Sequence, residues 1–157
     1  MNADALARLG ATPEGIAAAQ TLLSSALRLE AMISLKHARL DRLRKEKEQV
    51  QALPGSEDAA QGIAALEKQV LTDYKALTDR RVRISALIAG VPDERHRTVL
   101  EMRYLEGMPF FRIAMKMHYD ERQIYRFHAA ALRHVAVQRA LGLASPEENP
   151  YNKEKSL

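Results

Sequence analysis

The stretch Phe110-Phe111-Arg112-Ile113-Ala114-Met115-Lys116-Met117-His118-Tyr119-Asp120-Glu121-Arg122-Gln123-Ile124-Tyr125-Arg126-Phe127 decides how the chain is read. It divides at Met117-His118-Tyr119 into two helical pieces joined by a tight turn. The first is a short helix from Pro109 to Met117, with proline in the first turn, where it is tolerated. The second begins at Asp120 and runs to about Leu141, ahead of Gly142. Asp120 and Gln123 are spaced as a capping box, acceptor at the N-cap and amide three residues on. Two helices that cross at such a turn need a small residue at the close approach and apolar residues to lock the angle. Ala114 is the small residue. With Phe110 as the first place, Ile113, Met117, Tyr119, Ile124 and Phe127 take the fourth, eighth, tenth, fifteenth and eighteenth. That is the spacing of a helix-turn-helix.

The residues left outside this core are free to face a ligand. Arg122 and Arg126 lie four apart on one helix face, near the end that enters the major groove in helix-turn-helix docking. Arginine there can bond guanine O6 and N7, or a phosphate. Gln123 could read adenine, although its capping role accounts for it. Glu121 can accept from cytosine N4, or can compensate the helix dipole. Tyr125 can bond a phosphate or touch a thymine methyl, and Ala129 lies on the same side. Arg112, Lys116 and Arg133 flank the site as backbone-positioning cations. The charge distribution agrees. The whole chain carries +4, and residues 112–139 alone carry six basic and two acidic groups. Double-stranded DNA is the expected partner.

Outward from this unit, prolines at 13, 54, 92, 109, 146 and 150 divide the chain. Thr12-Pro13-Glu14 reads as cap, first-turn proline and first-turn acid. Pro54-Gly55-Ser56 reads as a turn and a second cap. Two long helices, roughly 13–52 and 57–89, are predicted, about 60 and 50 Å long at ~1.5 Å per residue. Their apolar spacing is a heptad with defects. Leu22, Leu29, Leu43 and Val50 form one row, interrupted by Lys36. Ala19, Ala26, Ile33 and Leu40 form the next, ended by Lys47. In the second helix Ile63, Val70, Leu77, Ile84 and Val91 form one row. Leu66 and Leu87 form the other, interrupted by Asp73 and Arg80. The short turn folds these helices into an antiparallel hairpin. Its seam is narrow, so a homodimer through the hairpin is expected, with a monomeric arm as the alternative. The mixed charges of 41–48 read as a solvated face. Residues 93–106 read as a short helix with Val99, Leu100, Tyr104 and Leu105 on its apolar face, ended by Gly107.

The expected fold is therefore all-α, a long coiled-coil-like hairpin followed by a helix-turn-helix. The segmentation is a flexible N-terminus at 1–11, the arm at 12–90, the DNA-binding domain at 91–143 and a disordered tail at 144–157. Composition excludes much else. The absence of Cys removes disulfides, Cys-ligated zinc and thiol nucleophiles. The histidines at 37, 96, 118, 128 and 134 include no i, i+4 pair and no HExxH, so no metal is expected. No Gly-rich phosphate loop occurs, no cofactor is implied, and the chain is not read as an enzyme. No signal peptide or membrane span is predicted, which points to the cytoplasm. Six of the eight aromatics lie between Tyr104 and Phe127, where a small domain must fill its core with large side chains.

Two stretches carry a family resemblance. Arg97-Thr98-Val99-Leu100-Glu101-Met102-Arg103-Tyr104-Leu105-Glu106-Gly107-Met108 resembles the opening of region four of bacterial sigma factors. So does Ile113-Ala114 followed by Tyr119-Asp120-Glu121-Arg122-Gln123-Ile124. The layout as a whole resembles phage transcriptional regulators of the ArpU/RinA type. That resemblance implies a phage- or prophage-derived regulator that binds promoter DNA through Arg122, Tyr125 and Arg126. RNA polymerase is then a possible partner. Three features depart from the family pattern. His118 stands where glycine is usual and is expected to adopt a left-handed conformation at some cost. Pro109 replaces a Ser or Thr cap, and Phe111-Arg112 replaces an acidic pair. The alternative reading is a helical assembly or interaction protein, or a phage packaging subunit, with a secondary or vestigial DNA-binding unit.

Overall fold

A computed structural model describes residues 11–142, and among these 84% are helical with no strand. The expected flexible start and disordered tail lie, but for Ala11, outside the described residues. Helix α1 spans Pro13–Ser24, α2 Ala26–Gln51, α3 Glu57–Ala89 and α4 Glu94–Leu100. A π-helical turn follows at Glu101–Leu105, then α5 at Phe110–Met117 and α6 at Glu121–Ala140. Among the described residues no helix is long and apolar enough to cross a membrane.

The helix predicted over 13–52 is two helices. The ladder breaks at Ser25, whose hydroxyl donates to the Leu22 carbonyl at 2.6 Å. A serine that bonds back onto the preceding turn competes with the helical pattern. Thr12 caps α1, its Oγ1 accepting from Gly15 N–H at 3.0 Å. The predicted 93–106 helix likewise changes character after Leu100, where the π-helical turn begins.

The described residues form two compact units, 28–81 and 11–27 with 82–142. These do not follow the expected division after residue 90. In the first unit Leu29, Ile33, Leu40 and Leu43 of α2 and Val70 and Leu77 of α3 are buried. Leu40, Leu43 and Val70 make a core cluster with Ile63, Leu71 and Tyr74 against it. Three of the four polar interruptions of the heptads, Lys36, Lys47 and Asp73, find partners. Lys36 meets Asp73 at 3.5 Å, and Lys47 and Arg44 meet Glu67 at 2.7 and 3.3 Å. The Lys47 hydrogen bond leads the interactions that hold the Glu67 carboxyl below its ordinary range. Arg81 and Glu30 close the set at 3.2 Å. The Arg44–Glu67 and Arg81–Glu30 contacts are exposed, whereas Lys36–Asp73 and Lys47–Glu67 are part-buried.

In the second unit α1 packs on α6 with Ala19 and Leu23 fully buried. Asp93 caps α4, its carboxylate accepting from Arg95 N–H at 2.9 Å. The Arg95 side chain bonds the same carboxylate and, ahead of its other interactions, pulls the Asp93 pKa down to about 2. Arg97 donates to the Val91 carbonyl at 2.9 Å and so holds the connection from α3 to α4. Gly107 has φ +73°, and a Cβ there would lie 2.9 Å from Leu27 Cδ1. Both the backbone angle and the close approach require glycine.

Candidate nucleic-acid interface

The α5–α6 region is built around Val99, Ile113, Ala114, Ile124 and Phe127, all buried in one cluster. Met102, Met108, Phe110 and Met117 pack against it. Tyr119 stays on the surface but sets its edge against Phe127, with centroids 5.0 Å apart at 87°. Between the helices His118 takes φ 60°, ψ 40°, a left-handed conformation for which a non-glycine residue gives up about 1–2 kcal/mol. Its N–H, and that of Tyr119 at 3.1 Å, bond the Ala114 carbonyl and end α5. Asp120 then caps α6, its Oδ1 accepting from Gln123 N–H at 2.7 Å. Pro109 offers α5 no side-chain cap, and its carbonyl instead accepts from Ile113 N–H at 3.2 Å.

Along α6 the sides separate cleanly. Ile124, Phe127, His128, Ala131, Leu132 and Val135 are buried. Arg122, Tyr125, Arg126, Ala129 and Arg133 are exposed. These five fall at i, i+3, i+4, i+7 and i+11, which is one continuous helix face. Glu121 is exposed in the first turn and Gln123 half-buried, its backbone engaged by the cap. On α5, Arg112 and Lys116 share an exposed row. Beside them Phe111 and Met115 are 57% and 72% exposed, an apolar pair the core does not use.

The contacts behind this face are not visible in the sequence. Tyr104 of the π-helical turn hydrogen-bonds His128 Nε2 at 2.6 Å in the interior. Burial keeps both neutral. It raises the Tyr104 hydroxyl and lowers the His128 imidazole to about 4, with Arg103 acting in the same direction on both the imidazole and, oppositely to burial, the phenol. Phe110 meets His128 edge-on at 4.9 Å and the Tyr125 ring at 4.8 Å. Arg103 covers Phe110 at 4.4 Å and donates to the Met108 carbonyl at 3.1 Å. The six-aromatic cluster in the sequence was the available signal, but it carried no pairing. Further along α6, His134 Nε2 lies 3.1 Å from the Gly90 carbonyl. Buried Gln138 occupies the space a Cβ at Gly90 would need.

Chemically this surface offers cations, one phenol ring and one methyl on a rigid helix, with a carboxylate at its start. Among the described residues no group of three or more His, Asp or Glu could hold a metal ion. The chain belongs to the family described as "Protein of unknown function (DUF722)", whose model matches residues 26–135. Comparison with curated proteins and with solved structures found no match.

Proposed function

We propose that this DUF722 member is a sequence-specific DNA-binding transcriptional regulator, cytoplasmic and derived from a phage or prophage. In this reading α5, the His118 turn and α6 form a helix-turn-helix that docks α6 in the major groove. The observation that carries it is the exposed row Arg122, Tyr125, Arg126, Ala129 and Arg133, opposite a fully buried row on the same helix. The left-handed His118 and the Asp120 cap support the turn. Arg122 and Arg126 read guanine or phosphate. Arg112, Lys116 and Arg133 position the backbone.

Helices α2 and α3 form the antiparallel hairpin in this account. Its support is the order of the ion pairs, in which Glu30 meets Arg81, Lys36 meets Asp73 and Lys47 meets Glu67. Only six apolar side chains are buried within 28–81. So thin a core favours a second copy or a partner such as RNA polymerase along the hairpin. A dimer binds paired half-sites about 10 bp apart, or a multiple of that.

The test is binding to duplex recovered by the full chain from a random-sequence pool, measured across salt. The wild type prefers its selected duplex, and log affinity falls linearly with log salt. Arg122→Ala/Arg126→Ala loses the preference, each guanine contact being worth about 1–3 kcal/mol. Equal preference in the two proteins overturns the assignment of reading residues. No binding at any salt favours the assembly-protein reading.

A further inference from the structure

The exposed face of α6 carries two rows of different chemistry. Arg122 and Arg126 form one. Tyr125 and Ala129, also four apart, form the other, and they offer a ring and a methyl group. The Tyr125 ring is half exposed, at 50%, yet it is not free to wander. It rests against Phe110, with centroids 4.8 Å apart and planes tilted by 44°. Phe110 is held in turn by the edge of His128 at 4.9 Å and by Arg103 above it at 4.4 Å. His128 is anchored in the interior by its 2.6 Å bond to Tyr104. A continuous line of rings therefore runs from the core to the reading face.

A rigid aromatic loses little rotamer entropy on binding, so its contact energy survives into affinity. An apolar row beside a cationic row matches one feature of the major groove. Thymine presents a C5 methyl there, and guanine presents O6 and N7. Resting on the DNA-binding reading above, we infer that Tyr125 and Ala129 together form a thymine-methyl contact. Phe110 is the positioning residue that holds the Tyr125 ring for it. Each half-site then contains a thymine whose methyl group the protein requires, next to the guanine read by Arg122 or Arg126.

The test uses the duplex selected by the wild-type chain, with each thymine replaced in turn by uracil. This removes the methyl group and leaves base pairing intact. At one thymine per half-site the wild type loses affinity about four-fold, the worth of one buried methyl at ~0.8 kcal/mol. In Tyr125→Ser the loss shrinks to about two-fold or less, since only the Ala129 half of the contact remains. In Phe110→Leu the loss shrinks to about two-fold or less, while the salt dependence stays that of the wild type because the cations are intact. Tyr125→Ser changes an exposed side chain and decides the matter alone if Phe110→Leu does not fold. A wild type indifferent to uracil at every position overturns the inference, as does full methyl sensitivity in Tyr125→Ser. A wild type that selects no duplex overturns the DNA-binding reading itself, and this inference with it.

Discussion

Lowering the pH from 7.5 to 5.0 destabilises the fold through His128. The imidazole is buried against Tyr104 and Phe110, and its pKa falls from 6.5 to about 4 because burial disfavours the cation. The unfolded chain takes up a proton as pH falls through 6.5, while the folded chain takes it up only near 4. Stability is therefore complete above about 6.5 and is lost progressively below it. One pKa unit is worth about 1.4 kcal/mol, so the whole interval is worth roughly 3 kcal/mol, of which about 2 has gone by pH 5. Asp93, held at about 2 by Arg95, titrates below this window. The assay is urea denaturation of the full chain at several pH values, for wild type and His128→Gln. The wild-type midpoint falls steeply between pH 6.5 and 5, and that of His128→Gln falls much less from its own lower start. Parallel pH profiles for the two proteins refute a buried, neutral His128.

Three substitutions test the rest of the architecture. His118→Gly relieves the left-handed strain and raises stability by about 1 kcal/mol, less what the freer unfolded chain takes back; a thermal melt reads it, and a lower midpoint counts against the φ 60° turn. Asp120→Ala removes the cap of α6 and costs about 1 kcal/mol by chemical denaturation, with amide exchange speeding up at Gln123; no change in either measurement contradicts the cap. Leu23→Ala opens a cavity where α1 meets α6 and costs about 2–5 kcal/mol, whereas the same change at half-buried Leu22 costs distinctly less; equal effects place α1 elsewhere.

Local chemistry made much of the fold legible. The Thr12-Pro13 and Asp120 caps, the Pro54-Gly55 turn and Gly107 each declare a helix boundary, and the observed boundaries fall within three residues of them. The heptad rows foretold burial at Ile33, Leu40, Val70 and Leu77. Lys36 and Asp73 looked like defects because periodicity treats each helix alone, yet each is the other's partner. The break at Ser25 was not legible. Neither glycine nor proline marks it, and Ala19, Leu23 and Ala26 continue an unbroken apolar stripe through it. That stripe cannot tell which helix will cover it, so the sequence assigns α1 to the arm although it packs on α6. At the candidate site the exposed residues followed from the spacing of the buried ones. The Phe110 contacts to Tyr125 and His128 did not, since they join different helices and depend on ring orientation.

Methylation interference on the selected duplex tests the docking of α6 most directly. Dimethyl sulfate marks guanine N7 in the major groove and adenine N3 in the minor groove. If α6 docks in the major groove as proposed, a methyl at guanine N7 in each half-site excludes that duplex from the wild-type complex, because Arg122 or Arg126 must reach that atom. In Arg122→Ala/Arg126→Ala this exclusion disappears. Exclusion confined to adenine N3, or a stable wild-type complex indifferent to guanine N7, would contradict docking of α6 in the major groove.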